Sequence, residues 1–202
     1  MENRSQLPLI IGAFFAIYVI WGSTYLLNKI AVAQLAPFML AGFRFLVAGI
    51  LIFGIALAMG KSLRITKRQF YNVTLAGFLF LSFGNGTVVW ALKYVDSNFA
   101  ALEISAQPLV ILLMMWLLQG KKIQPMSLVG VALGILGIYL LINQNTVVQQ
   151  ENSLLGIAMI FSAMLAWGYG SLFVGKAELP PNYFVNTGYQ MITGGVILCF
   201  MS

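Results

Sequence analysis

The stretch Trp21-Gly22-Ser23-Thr24-Tyr25 is matched by a second stretch, Trp167-Gly168-Tyr169-Gly170-Ser171. Trp167 stands 146 positions after Trp21 (167 − 21 = 146). Both copies lie past the middle of an apolar segment that is long enough to cross a bilayer. At the same offset in the following segment, Gly42 matches Gly188 and Gly49 matches Gly195, while Arg44 falls on Gln190 and Ala48 on Gly194. A match sustained over two consecutive segments indicates an internal repeat.

Apolar segments of this kind make up most of the chain. Of its 202 residues 60% are hydrophobic and only 8% are charged, which is too little polar surface for a water-soluble fold. A helix needs about 20 apolar residues to cross the hydrocarbon core. On that basis we predict seven membrane spans, at residues 9–30, 37–59, 70–92, 98–118, 126–143, 154–175 and 182–202.

The two copies of the repeat lie five spans apart. Because five is odd, the second copy enters the membrane from the opposite side, as in the inverted repeats of secondary transporters. We therefore predict an all-α polytopic membrane protein with inverted five-helix repeats, the first over residues 1–145 and the second beginning within 146–202. No basic or aromatic residue follows the seventh span, so we expect a chain truncated within the second repeat.

The net charge of +6 would suggest a nucleic-acid partner in a soluble protein, but membrane topology explains it better. With the N-terminus in the cytoplasm, eight basic residues lie inside and two outside, as the positive-inside rule requires. The inner set is Arg4, Lys61, Arg64, Lys67, Arg68, Lys121, Lys122 and Lys176, and the outer pair is Lys29 and Lys93. We predict a multi-pass inner-membrane protein whose partners are the lipid bilayer and a small-molecule substrate, without nucleic acid. A cleavable signal peptide is disfavoured, because the first apolar run is longer than a signal core.

Two charged side chains, Arg44 and Glu103, lie clearly inside the hydrocarbon core, where each is costly unless it faces a partner or a cavity. Their predicted depths differ by about 3 Å at 1.5 Å per residue, so we predict that they pair and line one cavity. Polar residues at comparable depth extend this candidate site: Ser23, Asn28, Asn85, Thr87 and Gln107. Trp21 and Trp167 are candidates for stacking on the substrate. Such a cavity suits an amphoteric or anionic metabolite. The alternative is that the ion pair and the two tryptophans serve helix packing alone.

Enzymatic chemistry has little support in the sequence. There is no histidine, Cys199 is the only cysteine, and no carboxylate dyad or Ser/His arrangement is present. We expect no enzymatic activity, no metal site and no cofactor. A channel stays open as an alternative, because rings of charge formed by an oligomer are invisible in one chain.

Two further features concern helix packing. Pro108 lies within the fourth span, where it breaks a helical hydrogen bond; it marks either a structural bend or the border of a cavity. Gly130, Gly134 and Gly137 follow one flank of the fifth span and allow close helix contact. Packing within the chain is favoured there, and a homodimer is the alternative.

These motifs together resemble the drug/metabolite transporter superfamily, in its EamA-type exporter branch. The resemblance rests on Trp21 to Tyr25, on Ala41-Gly42-Phe43-Arg44-Phe45 and on Ala91-Leu92-Lys93-Tyr94, with Pro108 in the fourth span. It implies ten helices in two inverted repeats around a central cavity, and export of small metabolites or toxic compounds, often driven by an ion gradient. Gly120-Lys121 departs from the acidic residue that members often carry there. The alternative is a membrane fragment without transport activity, or an assembly partner.

Overall fold

The computed structural model describes residues 7–122, 124–142 and 152–202, and the regular structure in these ranges is helical throughout. We number seven helices in chain order: α1 Pro8–Val32, α2 Pro37–Ala58, α3 Lys67–Ala91, α4 Ser97–Gln119, α5 Pro125–Ile142, α6 Ser153–Val174 and α7 Tyr183–Met201. The predicted repeat boundary at 145/146 and Arg4 lie outside the described residues.

Six of the seven helices are long and apolar enough to cross a membrane. They coincide with the predicted spans, and no end differs by more than three residues. The remaining one, α5, is a shorter apolar helix, and residue 143, where its predicted span ends, is not described. The predicted all-helical, multi-pass membrane fold is therefore confirmed.

Local sequence determines where several helices begin and end. The Thr66 hydroxyl accepts from the Gln69 backbone N–H and the Gln69 side chain accepts from the Thr66 N–H, a reciprocal cap on α3. Asn182 caps α7 by accepting from a backbone N–H three residues later. Pro37 begins α2, where its missing N–H does no harm. Gly120 ends α4 with a left-handed backbone at φ 64°.

Three helices are irregular. A π-helical stretch widens α1 over Ile17–Trp21 and another widens α3 over Phe78–Asn85. Helix α4 is interrupted between its two stretches, Ser97–Ile104 and Gln107–Gln119. Pro108 lies in the first turn of the second stretch, where a missing N–H is tolerated. The bend predicted at Pro108 is therefore a break that precedes it.

Side chains bond to carbonyl groups within the widened stretches. The hydroxyls of Ser23 and Thr24 both donate to the Ile20 carbonyl oxygen at 2.9 Å. The Trp167 indole N–H of α6 donates to the Phe80 carbonyl oxygen of α3, also at 2.9 Å. Since lipid offers no hydrogen-bond donor, these contacts make irregular backbone tolerable at membrane depth.

Helices α2 and α7 pack against each other through glycines. A β-carbon built on Gly42 would lie 2.7 Å from the Cys199 sulfur, and one built on Gly188 would collide with the Phe53 ring. Partner positions on α7 fall as positions on α2 rise, so the helices are antiparallel. Shifting Phe53 forward by 146 gives position 199, and shifting Gly188 back gives position 42. The two contacts are therefore images of each other under the repeat.

A second pair of contacts obeys the same rule. A β-carbon on Gly195 would lie 2.9 Å from Cγ of Leu46, and one on Gly49 would lie 2.9 Å from Cγ1 of Ile192. The offset of 146 converts Leu46 into position 192 and Gly195 into position 49. In each image a glycine faces a larger side chain, which is the pattern that the pseudo-twofold symmetry of an inverted repeat requires.

Helices α3 and α6 also meet at glycines. A β-carbon on Gly84 would collide with the Trp167 indole, and one on Gly170 would lie 2.9 Å from the Phe80 ring. Side chains of each helix therefore occupy space that a larger residue on the other would fill. Glycine at a helix crossing permits such close packing.

The glycine flank of α5 behaves differently from its prediction. Only Gly134 has a close neighbour among the described residues, the Leu109 side chain of α4, whereas Gly130 and Gly137 have nothing within 4 Å. The prediction that another helix approaches closely along this whole flank is therefore wrong for the described part of the chain.

Candidate functional site

A cavity of about 560 Å³ lies among α1, α3, α4 and α6. This volume is within the range of small-molecule sites. Its lining is mainly aromatic and aliphatic, with a few amide and hydroxyl groups, and none of the lining residues is charged. They are Trp21, Thr24, Tyr25, Asn28, Asn85, Val88, Ile104, Ser105, Gln107, Pro108, Ile111, Ala163, Met164 and Trp167.

The lining residues of α1 and α4 follow helical spacing. Those of α1 stand at 21, 24, 25 and 28, and four of the five on α4 repeat the pattern at 104, 107, 108 and 111, with Ser105 beside them. Positions separated by three, four and seven residues share one helix face. Thr24 and Tyr25, which the sequence analysis did not select, follow from this spacing between Trp21 and Asn28. Pro108 borders the cavity, the second of its two interpretations.

The two tryptophans of the repeat both line the cavity, in different settings. Trp21 lies at the end of the π-helical stretch of α1, and 56% of its surface is exposed. Trp167 is fixed by its bond to the Phe80 carbonyl, and its ring centroid is 4.8 Å from that of Phe80. Trp167 is therefore a rigid wall of the cavity, and Trp21 is its more accessible aromatic surface.

Arg44 lies directly behind the cavity wall. Its guanidinium donates to Oδ1 of Asn28 at 3.0 Å and to Oδ1 of Asn85 at 3.3 Å. Asn28 belongs to α1 and Asn85 ends the π-helical stretch of α3, so one side chain on α2 joins three helices. Both asparagines line the cavity, and Arg44 contacts it through them.

Glu103 occupies a different environment. It is buried, with 5% of its surface exposed, and its Oε2 has no hydrogen-bond partner among the described residues. The ion pairs found in the described part of the chain are Lys29 with Asp96 and Arg68 with Glu178. The predicted pair of Arg44 with Glu103 is therefore wrong.

The physical reason is the direction in which each side chain points around its helix axis. Matched depth places two side chains at one level of the membrane, but it does not say which way each helix turns them. Arg44 is turned toward α1 and α3. The first stretch of α4, which carries Glu103, packs on α1 and α6 instead. Glu103 lies beside Ile104, which lines the cavity, but is not part of the lining itself.

The remaining predicted residues divide in the same way. Asn85 and Gln107 line the cavity, and the Gln107 amide N–H donates to the Met164 carbonyl of α6 at 3.1 Å. Ser23 and Thr87 are not among the lining residues. The Ser23 hydroxyl is engaged with its own helix, as is that of Thr24, but only Thr24 is on the cavity face.

An inverted helical repeat with a solute-sized cavity within the bundle is the architecture of secondary transporters. The chain belongs to the EamA-like transporter family, whose model matches residues 8–143. The resemblance to the drug/metabolite transporter superfamily is thereby confirmed. No solved structure matches the chain.

Curated relatives are named as transporters or as an efflux pump. The chain is 36% identical over its whole length to an uncharacterized inner membrane transporter of Escherichia coli K12, YedA, and covers 64% of that protein. It is 20% identical to the uncharacterized transporter YoaV of Bacillus subtilis, over 93% of the chain and 64% of the relative. It is 28% identical to a probable amino-acid metabolite efflux pump of Escherichia coli K12, over 78% and 50% respectively. The chain thus spans about two thirds of the length of the first two relatives.

Proposed function

We propose that this protein is an inner-membrane secondary transporter that exports small metabolites by alternating access, with the cavity among α1, α3, α4 and α6 as its solute site. The observation that carries the proposal is the cavity itself, about 560 Å³ and lined by aromatic and aliphatic side chains with a few amide and hydroxyl groups. A site of this composition holds a small solute by apolar contact and orients it with a few hydrogen bonds.

The irregular helices support this assignment. Trp21 ends the π-helical stretch of α1, Asn85 ends that of α3, and Ser105 lies in the break of α4. All three residues line the cavity. Discontinuous helices around a central site are typical of transporters, and π-helical turns occur frequently at functional sites.

Separate observations support the proposed direction of transport and the proposed energy source. The relatives named as an inner membrane transporter and as a probable efflux pump support export across the inner membrane. The basic residues favour a cytoplasmic N-terminus. Glu103 is buried beside the cavity, and one of its oxygens has no partner among the residues that the structure describes. It is our candidate to carry a coupling proton, because a lone carboxylate is costly at this depth.

Two adjacent residues provide the test. Thr24 and Ser23 both donate to the Ile20 carbonyl, but only Thr24 lines the cavity. In a Cys199→Ser background, Thr24→Cys and Ser23→Cys would be expressed separately, and metabolites released into the medium would be measured by mass spectrometry. A bulky methanethiosulfonate reagent, which forms a mixed disulfide with a thiol and releases a sulfinate, should block release through Thr24→Cys. Reductant should cleave that disulfide and restore release, and Ser23→Cys should be unaffected. Equal block of both variants, or no metabolite released by unmodified protein, would contradict the proposal.

A further inference from the structure

Two amide side chains on the cavity wall are oriented by one guanidinium. Asn28 and Asn85 each accept a hydrogen bond from Arg44 through the amide oxygen, at 3.0 and 3.3 Å. A guanidinium has five N–H donors and no acceptor. The atom that each amide turns toward Arg44 must therefore be its oxygen. The NH₂ group, on the other side of the planar amide, is left for another partner.

Neither NH₂ group has another partner in the described part of the chain. Hydrogen bonds there do not involve Nδ2 of Asn28 or of Asn85, and neither atom is among the buried unpartnered atoms, so both are accessible. Asn28 is only 9% exposed and lines the cavity. Its accessible NH₂ group therefore lies at the cavity surface.

Charge adds to this arrangement. The ion pairs of the described residues do not include Arg44, so its positive charge is not neutralised by a neighbouring acid. Amides that accept from a cation are polarised, and their own N–H groups become stronger donors. The wall formed by Asn28 and Asn85 is thus a pair of donors with a positive charge behind it.

We infer that Arg44 is a positioning residue, which holds the NH₂ groups of Asn28 and Asn85 toward the cavity as a binding pole for the carboxylate of a solute. The inference rests on the proposed function, since it assigns a role within that solute site. The apolar remainder of the solute lies along Trp21 and Trp167. Arg44 acts through the two amides and does not touch the solute.

The test compares two probes that share one apolar body, 3-phenylpropionate and 3-phenylpropylamine. Binding to the purified full-length protein in nanodiscs would be followed by tryptophan fluorescence and calorimetry. The wild type should prefer the acid. Asn85→Asp keeps an oxygen for Arg44 but replaces the NH₂ donor by a second acceptor. The preference for the acid should fall by roughly tenfold or more, the factor that about 1.4 kcal/mol represents, and the amine should gain.

Two further variants separate positioning from structure. Arg44→Gln offers both a donor and an acceptor, so it no longer fixes the amides; the acid-to-amine preference should approach one while both probes still bind. Asn186→Asp is the matched control. The Asn186 oxygen accepts from Gln190, the repeat counterpart of Arg44, and Asn186 is not a cavity-lining residue. This variant should keep the wild-type preference.

The outcomes distinguish the inference from the proposed function. An unchanged preference in folded Asn85→Asp, or wild-type protein that prefers the amine or binds neither probe, overturns the inference. Transport that persists with such a result leaves the proposed function intact. Preferential binding of the acid with the predicted variant effects, in a protein that transports nothing, supports the inference and contradicts the proposed function.

Discussion

The first two helices of each repeat share a sequence pattern but use it differently. In the first repeat, Arg44 of α2 bonds to Asn28 and Asn85 on two other helices. In the second, Gln190 stands at the matching position of α7 and donates to Asn186, four residues earlier on its own helix. The glycines that bring α2 and α7 together are preserved in both repeats, while the polar contacts differ. The glycine contacts between α2 and α7 are therefore common to both copies, whereas the polar contacts behind the cavity belong to the first copy.

The largest effect is expected from breaking the glycine contact between α2 and α7. A β-carbon on Gly195 would lie 3.0 Å from the Gly42 carbonyl oxygen, so Gly195→Leu must push α2 and α7 apart. Overpacking of this kind costs about 1–3 kcal/mol and more against rigid backbone. Gly54→Leu, on α2 with nothing within 4 Å, is the control. Membrane abundance and size-exclusion profiles should collapse for Gly195→Leu alone; normal profiles for it would show that the contact is not required.

The next effect should come from the position at which the copies differ. Arg44→Ala leaves Asn28 and Asn85 without their common donor, so export should fall by roughly tenfold or more, since hydrogen bonds to charged groups contribute about 1.5–3 kcal/mol. Gln190→Ala removes one bond within a single helix and should leave export close to wild type. Export normalised to abundance measures both variants. Near-normal export by Arg44→Ala would remove it from the site.

Glu103, in the first repeat, is the only buried acidic residue among those described. Glu103→Gln keeps the shape and cannot release a proton. Export by this variant should become independent of the pH gradient, while folding is retained. Glu178→Gln, at an exposed ion pair with Arg68, is the control and should respond to the gradient like wild type. A gradient response in Glu103→Gln equal to that of wild type would exclude Glu103 as the proton carrier.

The smallest effect concerns the two tryptophans. Trp167→Phe removes the donor to the Phe80 carbonyl and should lower the free energy of unfolding by about 1 kcal/mol. Trp21→Phe, at the more exposed position, should leave thermal stability unchanged and weaken substrate affinity instead. Thermal unfolding of both variants in the same detergent gives the comparison. Equal losses of stability would mean that the two tryptophans have the same structural role.

The sequence predicted the membrane spans well because about twenty apolar residues are needed to cross a bilayer, whatever the helix packs against. It also predicted the repeat, because the glycines at 42 and 188 must remain small at a close crossing. Depth could be read for the site as well, and Trp21, Asn85 and Gln107 do line the cavity.

The rest of the site could not be read from depth alone. Arg44 lies behind the wall, and Ser23 and Glu103 lie outside the lining, because rotation about the helix axis depends on tertiary packing. Helical spacing partly compensates for this. Once Trp21 is placed on the cavity, positions 24, 25 and 28 follow from the period of 3.6 residues, and Thr24 is selected instead of Ser23.

The symmetry of the α2–α7 contact also bears on ancestry. The contact of Gly42 with Cys199 corresponds, under the repeat, to the contact of Phe53 with Gly188. Equivalent contacts are paired in the same way in the isologous interface of a homodimer. Two identical short chains inserted in opposite orientations would meet through the same surface. Fusion of duplicated genes would join them without remodelling that contact, and would then free each copy to diverge. The present helix pair keeps the symmetric glycine contact, while the polar contacts of Arg44 with Asn28 and Asn85 belong to the first copy alone.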